Sequence, residues 1–183
     1  MKNPVQDAIL KRCSTRAFTA EALTDEQLRA LADAALAAPS SMNRQPWQVI
    51  VVTDQALIEE MDGDTLETFR AMGNTGVVDR VSSRGGRVFY NAPCVIHLPV
   101  CDKDLLDAGI AVENIALAAE GMGLGSCIIG MIGALFSGPK AQAWKQKLQF
   151  PETHDYAIAI AVGHKAAEGT PHAQDPGKVT YIR

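Results

Sequence analysis

Ala37-Ala38-Pro39-Ser40-Ser41-Met42-Asn43-Arg44-Gln45-Pro46-Trp47 is the stretch around which the rest of the chain is arranged. Upstream, Leu28, Leu31, Ala35 and Leu36 recur at helix spacing. Downstream, Gln48-Val49-Ile50-Val51-Val52 is a short apolar run with the β-branched richness of a buried strand. Pro39 stops the helix, and Pro46 removes a backbone donor and biases Gln45 towards an extended conformation. Between the prolines, Ser40, Ser41, Asn43 and Gln45 offer short hydrogen-bonding groups with little bulk. Such residues are ordinary turn formers. The cluster gains meaning beside Arg12-Cys13-Ser14-Thr15-Arg16, where two arginines flank a serine.

A chain of 183 residues is long enough to bury a sizeable core, and residues 1–183 are expected to form one domain. Hydrophobic residues make up 47% and charged residues 21%, the proportions of a globular protein. The net charge of −4 argues against general binding to nucleic acid or a membrane surface. Met1-Lys2-Asn3-Pro4-Val5-Gln6-Asp7 carries no apolar signal region and no stretch reaches transmembrane length, so a cytoplasmic protein is expected. Cys13, Cys94, Cys101 and Cys127 lack paired metal-ligand spacing and are read as reduced thiols. His97, His154, His164 and His172 are dispersed, so no metal site is assigned. His97, inside a strand, is expected to be a satisfied structural residue. No catalytic acid or base is assigned.

Helical patterns run from Pro4 to Lys11 and from a Thr24/Gln27 capping box up to Pro39. A third starts at Thr53 or Asp54 and runs towards Met72, where Gly73-Asn74-Thr75-Gly76 breaks it. Residues 77–91, with Arg80, Arg84 and Arg87, read as a mobile loop or lid. Strands are expected over 48–52, 94–98, 126–129 and 156–162, and a further helix over 141–148. The segment 104–122 is apolar nearly all round, which predicts a helix buried partly by a second subunit. The tail is expected to pack on that partner. Helices interspersed with strands indicate an α+β sandwich around a mixed sheet.

Three motifs resemble the nitroreductase-like flavoprotein superfamily: Arg12-x-Ser14-x-Arg16, Ala38-Pro39-Ser40-Ser41-x-Asn43-x-Gln45-Pro46-Trp47, and Asp107-Ala108-Gly109 leading through Asn114 to Gly123-Leu124-Gly125-Ser126-Cys127-Ile128-Ile129-Gly130. The resemblance implies a three-layer sandwich, a mixed central sheet flanked by helices, and an intertwined homodimer with shared FMN sites. By resemblance, Arg12 and Ser14 contact the FMN phosphate and ribityl chain, and Arg16 sits nearer the N1/O2 end of the ring. Pro39, Ser40, Ser41 and Asn43 cover the flavin from the other subunit, and backbone amides near Ile129 and Gly130 face its N5. Lys178 resembles a basic residue near the C-terminus that reaches the phosphate, with Lys165 and Arg183 as competitors. Gly121-x-Gly123-x-Gly125 ends a helix rather than opening one, so a separate dinucleotide fold is not expected. Two features depart from the family pattern: Ile128 stands where many relatives have an aromatic residue, and an acidic-Gly pair at N5 is absent.

The activity implied is that of an FMN-dependent oxidoreductase. NADH or NADPH passes hydride to flavin N5, and a nitroaromatic, quinone or similar flat small molecule then takes the electrons by a ping-pong mechanism. The cofactor supplies the reactivity. The alternatives are reductive dehalogenation or flavin fragmentation on the same scaffold, and a non-catalytic flavin carrier or sensor.

Overall fold

In the computed structural model residues 3–101 and 105–183 are described; Met1, Lys2 and the expected helix start at Asp104 lie outside them. Helix α1 (Pro4–Lys11) opens with Asn3 accepting from the Val5 and Gln6 amides. Helix α2 (Asp25–Leu36) begins at the expected capping box: the Thr24 amide donates to Gln27 Oε1 at 2.9 Å, and the Gln27 amide to Thr24 Oγ1 at 3.2 Å. Strand β1 (Ile50–Val52) is shorter than the apolar run that predicts it. Trp47 instead makes an isolated bridge to Val100, and the Gln48 amide donates to the Pro99 carbonyl. Asp54 caps helix α3 (Gln55–Ala71).

The segment read as a loop from 77 begins as helix α4 (Thr75–Ser82). Asn74 caps it, and Val77 and Val81, four apart, turn to the core where Val81 is buried. Strand β2 (Cys94–Val100) is buried along its whole length. Helix α5 (Leu105–Gly121), strand β3 (Gly125–Ile129), helices α6 (Gly133–Phe136) and α7 (Ala141–Lys147), and strand β4 (Asp155–Gly163) follow.

The sheet order is β1-β2-β4-β3, and every neighbouring pair is antiparallel. The mixed sheet expected from sequence is therefore antiparallel in its four strands; the parallel pairing present is an isolated bridge between Ser14 and Ser126. Side-chain alternation sorts the strands onto two faces. Ile96, Leu98, Ile160 and Val162 pack with Leu31, Ala35, Ala111 and Ile115 from α2 and α5. Val95, Ala159, Ala161 and Cys127 pack with Ile58, Met61, Leu135 and Trp144 from α3, α6 and α7. The result is a three-layer α+β sandwich.

His97 lies on the second of these faces, fully buried, and neither ring nitrogen has a hydrogen-bond partner. It is structural, but not satisfied as expected. Burial drives its pKa down to about 3, so the ring is held neutral. Residues 164–169 pack on the chain itself, with the Thr19 amide donating to the His164 carbonyl and the Ala166 amide to the Ala17 carbonyl, both at 3.0 Å. Residues 172–183 are exposed.

Candidate functional site

Helix α5 organises the site through three acidic residues on an otherwise apolar helix. Asp107, buried, accepts the Ser41 amide on both carboxylate oxygens, at 3.2 and 3.1 Å. Glu113 pairs with Arg12 at 3.5 Å. Glu120 pairs with Lys165 at 3.0 Å, which ties the start of the tail to the helix. Asn114 also reaches across, donating to the Ala34 carbonyl at 3.1 Å and fixing α2 against α5.

The loop from Pro39 to Pro46 is tied to α5 through the Ser41 amide. Ser41–Asn43 form a 3-10 turn in which Met42 and Asn43 have φ of 51° and 55°, and Gln45 has φ of 47°. Gln45 is not the simple extended residue that Pro46 predicts; its amide donates to Ser40 Oγ at 2.8 Å, which holds the left-handed turn. Met42 is 85% exposed, and Asn43 accepts from the Gln45 side chain at 3.2 Å. Ser40, Ser41 and Asn43 are together on one loop, as expected.

Arg12, Ser14 and Arg16 form a second cluster, on the free edge of β3. The Thr15 amide donates to the Ser126 carbonyl at 2.8 Å, and Thr15 packs so closely that a Cβ on Gly125 would fall 2.5 Å from its Oγ1. The Arg16 guanidinium donates to the Ser14 carbonyl at 3.4 Å. A cavity of about 370 Å³ opens here, lined by residues from both ends of the chain: Arg12, Cys13, Ser14 and Arg16, and Gly169, Thr170 and His172. The same cations act on Cys127: burial pushes its thiol up, while Arg16, a Ser14 hydrogen bond, Arg12 and Arg84 pull against that shift. Arg84, from the turn after α4, is the weakest of these influences and does not line the cavity.

At the other end of β3, Ile129 is buried and its carbonyl accepts from the Tyr156 hydroxyl at 2.8 Å, whereas Gly130 is exposed. At roughly 3.4 Å per residue, Ser126 and Gly130 lie about 14 Å apart along the strand. Since Ser126 turns its backbone outward to Thr15, alternate residues from it share that free edge. Ile128, 38% exposed, lies between them.

Among the described residues, no hydrogen bond or ion pair joins Arg12, Ser14 or Arg16 to Ser40, Ser41 or Asn43. Lys178 is exposed in a 3-10 turn, Pro176–Lys178, and does not line the arginine cavity. Its competitors are engaged elsewhere, Lys165 with Glu120 and Arg183 over the Tyr181 ring at 5.6 Å. Thr170 and His172, which the sequence did not single out as site residues, line that cavity. Asp107 was also missed as a clasp, although a lone acid among Leu105, Leu106 and Ile110 was a usable signal. Among the described residues, no group of three or more His, Cys, Asp or Glu side chains could hold a metal ion, and no helix is long and apolar enough to cross a membrane.

A three-layer sandwich with an arginine cluster on the edge of one outer strand and a polar loop clasped to the central helix defines a recognised class. The chain belongs to the nitroreductase family, whose profile matches residues 9–164. A nitroreductase from Desulfitobacterium hafniense, whose crystal structure holds FMN, superposes with a TM-score of 0.95 at 38% identity over 100% of both chains. The FMN reductase (NADPH) of Bacillus subtilis is 28% identical over 91% of this chain and 67% of its own length. The NADPH-flavin oxidoreductase of Vibrio harveyi is 31% identical over 90% of this chain and 66% of its own.

Proposed function

We propose that the protein is an FMN-dependent oxidoreductase that takes electrons from NADH or NADPH and delivers them to small flat acceptors such as nitroaromatics or quinones. The observation that carries the reading is the layout of β3, with a cluster of cations and a hydroxyl at one end and exposed Gly130 at the other. This fits an elongated ligand with a phosphate at one end and a flat ring at the other. Bound there, FMN would supply hydride transfer between donor and acceptor in alternate half-reactions. Arg12 and Ser14 would hold the phosphate by charge-assisted and hydroxyl hydrogen bonds. Arg16 would place positive charge towards the N1/O2 end of the ring, where it would stabilise negative charge that develops on reduction. Gly130, rather than buried Ile129, presents its backbone to the reacting edge.

Residues 1–183 act as one cytoplasmic domain that is complete only as a homodimer. Two features support this. Helix α5 exposes Leu105 and Leu106, and α1 exposes Val5, Ile9 and Leu10, an apolar area that a second copy would cover. Among the described residues, the loop bearing Pro39, Ser40, Ser41 and Asn43 makes no hydrogen bond to its own arginine cluster, which leaves it available to cover the neighbour's flavin.

The first test is the purified protein's spectrum and its response to NADH or NADPH without oxygen. Flavin released as FMN and rapid bleaching are expected. A colourless protein that cannot be reconstituted would overturn the reading, and bound flavin that stays oxidised for hours would make it a carrier. In titrations of apoprotein, Arg12→Ala should lower FMN affinity by about tenfold to a hundredfold and spare riboflavin. For the shared site, a subunit carrying Arg12→Ala is paired with one in which Ser40, Ser41 and Asn43 are replaced by bulky apolar residues. Both defects then fall in one pocket and about half the sites recover; no recovery would confine each site to one subunit.

A further inference from the structure

We propose that Tyr156 is a positioning residue for the reacting edge of the flavin: its hydroxyl holds the Ile129 carbonyl and thereby aims the Gly130 amide at N5. This rests on the FMN reading above. The Tyr156 hydroxyl donates to the Ile129 carbonyl at 2.8 Å. Ile129 pairs with Ala159 of β4 and lies three residues on from Ser126, so its own backbone groups turn into the sheet, away from the free edge. The Ile129–Gly130 peptide is planar and trans, and its C=O and N–H point in opposite directions. A clamp on the carbonyl therefore fixes the amide as well, and directs it to the free edge of β3. Gly130 is exposed and lies one residue past the end of that strand, where the chain turns and the Gly133 amide donates to the Gly130 carbonyl at 3.0 Å. The orientation of its amide is set at the carbonyl just before it.

A β-bulge brings Tyr156 to this contact. Leu98 of β2 faces Ile158, but Val100 faces Asp155, so Tyr156 and Ala157 together stand opposite Pro99. Strict alternation along β4 would put Tyr156 on the face of Ile158, Ile160 and Val162, towards α2 and α5. The extra residue moves it to the other face, where it packs with the cluster that holds Ala159, Ala161 and Leu135. There its ring stacks on Phe136, with centroids 4.8 Å apart, and Phe136 stacks in turn on Phe150 at 5.3 Å. A Cβ on Gly133 would come within 3.2 Å of the Tyr156 ring. A ring so confined presents its hydroxyl in one place. Burial pushes the phenol's pKa up, so the group keeps its proton and stays a donor. A phenylalanine would fill the same space; the hydroxyl adds the hold on Ile129.

The test is Tyr156→Phe, which keeps the ring and its stack and removes the hydroxyl alone. Parent and variant are loaded with FMN isotopically labelled at N5 and compared by nitrogen NMR. The N5 resonance should move downfield in the variant, as an azine nitrogen does when it loses a hydrogen bond. In stopped flow without oxygen, the limiting rate of flavin bleaching by NADH or NADPH should fall about tenfold, with the half-saturating donor concentration unchanged. Any loss of affinity should be the same for FMN and riboflavin, since the phosphate end is untouched. Tyr156→Leu, which also breaks the stack, is the structural control and should lower the thermal midpoint as well. If flavin is bound but the N5 resonance and bleaching rate of Tyr156→Phe match the parent, the inference is overturned and the FMN reading stands. A rate lost only in Tyr156→Leu assigns the role to the stack and overturns it too. A parent that takes up no flavin fails the FMN reading itself, and this inference with it.

Discussion

Two loops of this molecule are each held by a buried carboxylate on a neighbouring helix, and the two carboxylates serve opposite ends. Asp107 of α5 accepts the Ser41 amide and holds up a loop whose side chains point to solvent. Asp62 of α3 accepts the Val88 amide at 2.7 Å and the Phe89 amide at 3.0 Å, both on Oδ1, and pulls Val88, Phe89 and Tyr90 into the core. Both loops contain non-glycine residues with positive φ, Met42, Asn43 and Gln45 in one and Tyr90 and Asn91 in the other. The difference lies in what the strained backbone gains. Around Asp62 it gains burial of large side chains, which stabilises the fold. Around Asp107 it gains no core at all, only a polar loop set at a fixed angle, which is the pattern expected where strain serves a binding site.

The contrast is broken most directly at Asp62. Its carboxyl is pushed up to about 6 by burial, against the two amides and Arg87 that favour the charged form. Asp62→Ala strands two buried amides and should cost about 2–4 kcal/mol by urea unfolding at pH 8. Asp62→Asn keeps an oxygen for both amides and should fall within about 1 kcal/mol of the parent. Equal losses in the two variants would mean that charge, not the acceptor oxygen, holds the segment.

The pH dependence follows from Asp62 and His97 together. Asp62 has a raised pKa in the folded protein, so its contribution is present below pH 3.8 and is lost as pH rises through 6. His97 has a lowered pKa, so its contribution is present above pH 6.5 and is lost as pH falls towards 3. Between these limits the two slopes oppose each other. In Asp62→Asn the histidine acts alone, and between pH 6 and 3.8 stability relative to the parent should fall by about 1.4 kcal/mol for each pH unit. Parallel pH profiles for variant and parent would remove one or both groups from the account.

Smaller effects belong to the exposed loop. Asp107→Ala frees one half-exposed amide and should cost about 1 kcal/mol in stability, with a larger loss in FMN retention. A stability loss matching that of Asp62→Ala would erase the difference between the loops. The smallest change is Met42→Gly, which relieves a left-handed residue at the cost of a more flexible unfolded chain. It should gain about 0.5 kcal/mol or less in the thermal midpoint's free-energy equivalent.

Most elements of this fold were legible because their signals are local. The Thr24/Gln27 box, the Asp54 cap, the alternating apolar runs of β2 and β4, and the Gly123–Gly125 break each depend on neighbours within a few residues. Helix α4 was missed because Gly73 to Gly76 reads as a break, whereas Asn74 uses it to cap a new helix. The sheet's antiparallel order could not be read, since strand direction depends on how intervening helices cross and not on the strands' own composition.

The site divides in the same way. The sequence by itself determined the two polar clusters, Arg12-Ser14-Arg16 and Ser40-Ser41-Asn43, and the central helix that carries acids among apolar residues, because side-chain type and spacing suffice for these. Only the tertiary structure decided that Asp107 clasps one cluster, that Glu113 faces the other, and that Thr170 and His172 line the arginine cavity. Each of these is a contact between segments far apart in the chain. The position of such a contact is set by packing against α5 and β3, and no local pattern encodes it.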